Sequence, residues 1–258
     1  MTNATGSVLV TGGLSGIGLA TLAALSEAGF TAIAVDIATK PTSSVPVPAI
    51  LWPNSLDVSD ETAVAREVEA IEQQHGPLIG LVNAAGILGK MHRPHRLRLA
   101  DWDREMAVDL RGTFIMCREV GTRMVRRRQG AIVNVASIVS LSSAPVHGYG
   151  PAKAAVASLT QTLAADWGPA GVRVNAVSPG FTRTPALEAG ISAGALSYER
   201  LTQTAALGRL VEPIEVGRAI AWLIGPGSSA ITGVNLPVDA GFLAAVPWTA
   251  YGGLRSPD

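Results

Sequence analysis

One cysteine, Cys117, is all that the 258-residue sequence contains, so no disulfide can close within the chain. A single thiol is compatible with a reducing compartment without proving one. Neither sign of charge is in excess: 20 Lys and Arg balance 20 Asp and Glu, which removes the electrostatic reason to expect nucleic acid or an anionic membrane as partner. No stretch has eighteen uninterrupted apolar residues, and Met1 to Gly6 lack the basic-then-apolar pattern of a secretory leader. The reading is a cytoplasmic protein with a small-molecule partner. Metal-ligand spacing is missing as well, because His92 and His95 have no cysteine or carboxylate cluster beside them, and no metal is expected. Internal repeats are also missing.

What is present is a large apolar fraction, 48% against 16% charged, a balance suited to a buried parallel sheet between helices. At this length the chain is near the upper limit of one α/β domain and buries roughly three quarters of its unfolded surface. Short apolar runs bounded by Gly, Asn or Asp alternate with longer amphipathic stretches, the pattern of repeated strand-helix units. Strands are expected at Ser7–Thr11, Thr31–Asp36, Ala49–Leu56, Leu78–Asn83, Ala131–Ala136, Val172–Ser178 and Val234–Val238. Helices are expected at Ile17–Ala28, Glu61–Gln74, Trp102–Arg127, Ala152–Trp167 and Ile214–Leu223. Two segments break the rhythm. Pro41–Pro48 replaces a helix with a short loop, and Thr182–Leu207 is long enough for a mobile flap over a cleft, with a disordered surface insertion as the plain alternative. The tail Phe242–Asp258 reads as surface packing or subunit contact.

After the first strand comes Thr11-Gly12-Gly13-Leu14-Ser15-Gly16-Ile17-Gly18, opening directly into a helix. Glycines let a backbone turn tightly against a pyrophosphate, and the unpaired N–H groups of a helix start favour its charge. Such spacing recurs by chance, so its context decides. Asp36 stands at the end of the second strand, where a carboxylate accepts hydrogen bonds from the adenosine ribose and repels a 2′-phosphate. With no Lys or Arg at Gly13–Ile17 or at Ile37, the electrostatics favour NAD over NADP. Asp57 and Val58, after the third strand, are placed to meet the adenine edge.

Tyr149-Gly150-Pro151-Ala152-Lys153 puts Tyr149 and Lys153 one helical turn apart on one face. Pro151 requires the helix to be just starting there. A phenol titrates near ~10 in water, so acid/base work at neutral pH needs an ammonium close by. Taken alone, the pair is an ordinary surface spacing. Ser137, twelve residues before the tyrosine, lies at the end of the strand Ile132–Ala136, at the edge where open α/β sheets bind ligands. Its hydroxyl can polarise a carbonyl, whereas Ser140, Ser142 and Ser143 read as loop residues.

Together these residues resemble the short-chain dehydrogenase/reductase family over about Val8–Gly241. The matching features are the glycine turn, Asn83-Ala84-Ala85-Gly86, Ser137, Tyr149-x-x-x-Lys153, Asn175, and Pro179-Gly180 followed by Thr182 and Thr184. The resemblance implies a single-domain Rossmann fold with a doubly wound, seven-stranded parallel sheet flanked by helices. It implies that Tyr149 exchanges the substrate proton, that Ser137 holds the substrate oxygen, and that Lys153 tunes the tyrosine and binds the nicotinamide ribose. Gly12, Leu14, Ser15, Gly16, Ile17, Gly18, Asp36, Asp57 and Val58 would line the NAD site, with Asn83, Ala84, Ala85 and Gly86 supporting it. Pro179, Gly180, Thr182 and Thr184 would meet the nicotinamide side. The family also implies a homotetramer packed through Trp102–Arg127 and Ala152–Trp167.

Asp109 departs from the pattern, since the family usually has an asparagine there that holds a water of the proton relay. An ionised aspartate accepts hydrogen bonds but cannot donate as an amide does. Two readings stay open: a relay member paired with Lys153, or a structural ion.

The basic segment Lys90, His92, Arg93, His95, Arg96 and Arg98 reads mainly as a solvated loop or subunit contact, with an anionic substrate as the sharper alternative. Arg126-Arg127-Arg128 complements a helix carboxyl end. The expected activity is hydride transfer between NAD and a secondary alcohol, diol or ketone. Pro41–Pro48 and Leu81–Leu88 resemble a dihydrodiol dehydrogenase of the dihydroxybenzoate-forming kind. A cofactor-bound regulator with little turnover is the alternative motivated by Asp109, and an epimerase or dehydratase is disfavoured because no separate substrate domain follows.

Overall fold

A computed structural model of the chain describes residues 6–43, 49–89 and 91–254. Seven parallel strands form one sheet in the order β3-β2-β1-β4-β5-β6-β7. They are β1 (Ser7–Thr11), β2 (Thr31–Val35), β3 (Ile50–Leu51), β4 (Leu78–Asn83), β5 (Gly130–Val135), β6 (Val172–Pro179) and β7 (Asn235–Val238). The helices are α1 (Gly16–Glu27), α2 (Glu61–His75), α3 (Leu99–Glu105), α4 (Thr113–Arg127), α5 (Tyr149–Trp167), α6 (Pro185–Ser192), α7 (Tyr198–Gln203), α8 (Pro213–Ile224) and α9 (Phe242–Ala245). This is the doubly wound Rossmann arrangement. Strand order reverses between β1 and β4, and the crevice that ligands use lies beyond the carboxyl ends at that reversal.

Because strand side chains alternate in direction, neighbouring residues feed two separate cores. Leu9, Ile33, Leu81, Ile132 and Val174 pack with α2, α4 and the end of α5. Val8, Val10, Ala32, Ala34, Val82, Val133 and Val177 pack on the other face, with α1 and α8. Each fully buried aliphatic side chain contributes roughly 1.5–3 kcal/mol, so both faces hold the sheet. Gly217 lets α8 approach α1: a Cβ there would lie 2.9 Å from the Ala20 carbonyl oxygen.

Several expectations need correcting. The third strand is two residues long rather than Ala49–Leu56: beyond Leu51 the chain keeps only single bonds to the β2 side, from Trp52 N to Ala34 and from Leu56 N to Asp36, while the Trp52 and Asn54 side chains donate to Glu67. The helix expected over Trp102–Arg127 is three pieces, with a wide π-turn at Met106–Gly112 between α3 and α4. Such turns recur at functional sites. The segment Thr182–Leu207 is not an unstructured insertion, because it folds into α6 and α7, each capped by a hydroxyl, Thr184 and Ser197. Of the tail, Phe242 packs edge-to-face on Phe181 at 5.3 Å, while Tyr251 is 87% exposed. Within Pro41–Pro48, residues 44–48 lie outside the described residues, as do Met1–Thr5, Lys90 and 255–258. No helix among the described residues is long and apolar enough to cross a membrane.

Candidate active site

The glycine turn is set by backbone collisions. Gly12 has φ +63°, and a Cβ on it would lie 2.8 Å from the Cα and N of Ala85. Gly18 faces the Gly12 carbonyl so closely that a Cβ would overlap it. These contacts seat the amino end of α1 against the loop after β4 and leave a backbone cradle. Ser15 is the exposed N-cap of α1 and makes no side-chain capping bond. Leu14 and Ile17 anchor the turn in the core below it.

Asp36 lies beside that cradle. Its Oδ2 accepts from Leu14 N (3.0 Å) and its Oδ1 from Ala38 N (3.0 Å). Each oxygen keeps a further lone pair, enough for the two hydroxyls of a ribose. A nucleotide therefore fits the residues present: a cradle that any Cβ would fill, a helix start, and a fixed carboxylate acceptor.

Several of the other expected residues also have partners within the chain. Asp57 accepts from Ser59 N (2.9 Å), from the Ser59 hydroxyl (2.6 Å) and from Arg104 (3.1 Å). Burial pushes its carboxyl up, but these bonds outweigh burial and hold it below the usual carboxylate range. The Val58 side chain is buried against Gly112. Asn83 turns into the sheet, donating to Asn134 (2.9 Å) and to Cys117 (3.2 Å). Asn175 pins the approach to β7, donating to the Ile231 carbonyl (2.9 Å) and accepting from Val234 N (3.2 Å). Burial pushes the Cys117 thiol up to about 12, leaving it a packing residue. Thr11, outside the expected set, shapes the loop: its hydroxyl accepts from Ala84 N (3.2 Å) and Ala85 N (3.1 Å).

The catalytic candidates converge on Gly86. A Cβ at Gly86 would lie 3.2 Å from Asp109 Oδ1 and 3.3 Å from Lys153 Nζ. Lys153 is 4% exposed, donates to the Val135 carbonyl at the end of β5 (2.8 Å), and lies 5.4 Å from the centre of the Tyr149 ring. Two residues beyond Val135, Ser137 has its carbonyl held by the hydroxyls of Ser140 (2.7 Å) and Ser178 (2.9 Å). Asn235 in turn donates to Ser140 (3.0 Å). The hydroxyl of Ser142 is spent on Ile138 (2.9 Å). That leaves Ser137 Oγ, which accepts one long contact from Val139 N (3.4 Å), with its proton unassigned. Ser140, Ser178 and Asn235 were not legible as a set, because their partners lie on three separate elements.

Asp109 is fully buried, accepts from Ile87 N through Oδ1 (2.7 Å), and has no partner for Oδ2. Burial pushes its carboxyl above the ordinary range, against the pull of Lys153 and of the Ile87 amide. On the far side of the cleft, β6 ends at Pro179, and a Cβ on Gly180 would lie 2.7 Å from Asp239 Cα. Thr182 donates to the Gly180 carbonyl (3.0 Å). Thr184 caps α6 through an accepted bond from Leu187 N (3.3 Å) and faces Gly16 across the glycine turn. The loop bearing His92, Arg93, His95 and Arg96 is exposed.

A family model described as enoyl-(acyl carrier protein) reductase matches residues 12–243. The chain is 37% identical over 242 residues to a cis-4-hydroxycyclohexanecarboxylate dehydrogenase of Sinomonas cyclohexanicum, covering 92% of this chain and 96% of that one. Among solved structures, it is 44% identical to one titled ribose-5-phosphate isomerase from Brucella melitensis 16M, with a TM-score of 0.94 and 98% of each chain covered. It is 29% identical to an NAD+-bound xylitol dehydrogenase, with a TM-score of 0.84, covering 92% of this chain and 98% of that one.

Proposed function

We propose that this chain, which belongs to the short-chain dehydrogenase/reductase family, prefers NAD and acts on a secondary alcohol, diol or the corresponding ketone. The observation that carries the reading is that the loop packed on Gly12 of the glycine turn brings Gly86 to the buried Lys153, which lies 5.4 Å from the Tyr149 ring and is anchored to Val135, two residues before Ser137.

The nicotinamide supplies the hydride acceptor or donor. Ser137 donates a hydrogen bond to the substrate oxygen and polarises it. Tyr149 takes the hydroxyl proton as an alcohol is oxidised and returns it as a ketone is reduced. Lys153, anchored to the Val135 carbonyl, keeps two further N–H groups for the ribose and for its charge beside the tyrosine. Thr184 has a hydroxyl proton to offer the carboxamide, its lone pair being used by the α6 cap. Asp36 selects against a 2′-phosphate by like-charge repulsion.

The Sinomonas relative makes a ring-borne secondary alcohol carrying a carboxylate the first compound to try, and the basic loop Arg93–Arg98 would favour such an anion. The xylitol relative makes polyols the second. Purified protein with NAD and a panel of these alcohols is expected to form NADH, with kcat/KM roughly tenfold or more above that with NADP, a discrimination of about 1.4 kcal/mol. NADH binding without turnover of any member would overturn the reading in favour of a cofactor-bound regulator. The likeness to the Brucella protein supports a second reading, an aldose–ketose isomerase; ribose 5-phosphate converted without added nicotinamide would establish it. Assembly into a homotetramer through α4 and α5, to be read by light scattering, completes the proposal.

A further inference from the structure

Asn134 stands in β5 one residue before Val135, whose carbonyl holds Lys153. Strand alternation places its side chain on the face whose core is built from aliphatic side chains such as Leu81 and Ile132. Asn134, Thr160 and Cys117 are all fully buried, and Asn83, its neighbour in β4, is nearly so. The bonds among them have one direction. Asn134 Oδ1 accepts from Asn83 Nδ2 (2.9 Å) and from the Cys117 thiol (3.5 Å). Nδ2 is thereby aimed at α5, where it donates to the Thr160 hydroxyl (2.9 Å). That hydroxyl gives its own proton to the Val156 carbonyl one turn earlier (2.8 Å), so towards Asn134 it can only accept.

Thr160 follows Lys153 by two helical turns, so the two side chains leave the same face of α5. Two successive residues of β5 therefore hold two points on that face: the Val135 carbonyl holds the Lys153 ammonium (2.8 Å), and the Asn134 amide holds Thr160 (2.9 Å). The buried face of α5 also carries Ala152, Val156, Leu163 and Ala164. Contact between such aliphatic groups is non-directional and lets a helix slide or turn on a sheet, whereas a hydrogen bond fails when its distance or angle changes. One anchor would leave α5 a pivot. Two fix its rotation and its place along β5. A buried amide costs stability unless its bonds are made, so Asn134 is a poor choice for filling space alone.

We infer that Asn134 and Thr160 are positioning residues: they set where α5 lies on β5, and thereby the reach of Lys153 and the neighbouring Tyr149 towards the reacting atoms. Neither touches substrate or cofactor, since both side chains are spent inside the core. Their effect on turnover rests on the oxidoreductase reading above. The anchoring of α5 does not.

Thr160→Val is nearly isosteric and leaves Asn134 Nδ2 without its acceptor, whereas Thr160→Ser keeps the hydroxyl. With an alcohol that wild type oxidises, Thr160→Val should lower kcat roughly tenfold, the cost of moving a reacting group by a fraction of an ångström. KM for NAD and for the alcohol should stay within about twofold, the split expected of an interaction lost in the transition state. Thr160→Ser should keep kcat within about twofold of wild type. An unchanged kcat in Thr160→Val, or an equal loss in Thr160→Ser, overturns the inference. If Thr160→Val does not fold, Asn134→Val combined with Thr160→Val removes both partners, which spares the fold an unpaired amide, and carries the same expectation. Crystal structures of wild type and variant give a readout that needs no turnover. The bond from Lys153 Nζ to the Val135 oxygen, 2.8 Å before substitution, should lengthen beyond the usual range of about 3.2 Å. An unchanged bond overturns the inference whatever the kinetics. A lengthened bond in a protein whose wild type oxidises no alcohol keeps the anchoring and removes the oxidoreductase reading; NADH formation by wild type with an unchanged bond in the variant does the opposite.

Discussion

The two sides of the cleft are built by different means. On the side of the glycine turn, main chain meets main chain: Gly12 against Ala85, Gly18 against Gly12, and the Gly13 amide on the Val35 carbonyl (3.2 Å). On the substrate side, buried side chains hold the geometry, and beyond them lie an exposed basic loop and the short helices α6 and α7. Backbone contact admits one residue type at each position and so leaves a pattern in the sequence. Side-chain positioning admits many solutions and so leaves no such pattern.

The strongest test of that contrast is Tyr149→Phe, which removes one oxygen and no packing. Turnover should fall roughly 10²- to 10⁴-fold, the usual worth of general acid/base catalysis, while NADH binding followed by fluorescence changes little. A parallel loss of binding would mean that the two sides are not separable.

Next in size is Asp36→Ala. Losing charged acceptors worth about 1.5–3 kcal/mol each should lower kcat/KM for NAD roughly 10- to 100-fold and narrow the gap to NADP. Steady-state kinetics with both nucleotides checks it; an unchanged ratio would remove Asp36 from cofactor selection.

Gly18→Ala pushes a methyl group into the Gly12 carbonyl. Overpacking of this kind costs about 1–3 kcal/mol, a Tm loss of roughly 2–12 °C for a chain of this size, measured calorimetrically together with weakened NADH binding. A tolerated alanine would break the claim that backbone collision defines this side.

The smallest effect should come from Arg183→Ala. Arg183 joins Glu212 (2.9 Å) and covers the Tyr198 ring (5.8 Å), linking the start of the flap to α7 and α8. Exposed pairs contribute little, so Tm should move by no more than ~4 °C and any kinetic change should appear in KM for the substrate. A large loss of kcat would place the flap in the chemical step.

Away from the cleft, Arg173 shows how backbone carbonyls can replace a charge partner. It donates to the carbonyls of Leu223 (2.7 Å), Ile224 (3.0 Å) and Gly225 (3.1 Å) at the end of α8, where the helix dipole favours a cation. Nothing in the sequence around Arg173 announces this, because its partners lie some fifty residues away.

By itself, the sequence determined the alternation of strands and helices, the glycine turn, Asp36, and the spacing of Tyr149 and Lys153, all features governed by local periodicity or by a residue type that one conformation demands. Tertiary structure alone decided that Asp57 meets Arg104 and Asn83 meets Asn134, that Ser140 and Ser178 serve Ser137, that Thr182–Leu207 holds α6 and α7, and that Asp109 is buried facing Lys153. Burial and hydrogen-bond partners depend on which distant segments meet, and a carboxylate or a hydroxyl reads the same in sequence whether it faces water or the end of a buried lysine.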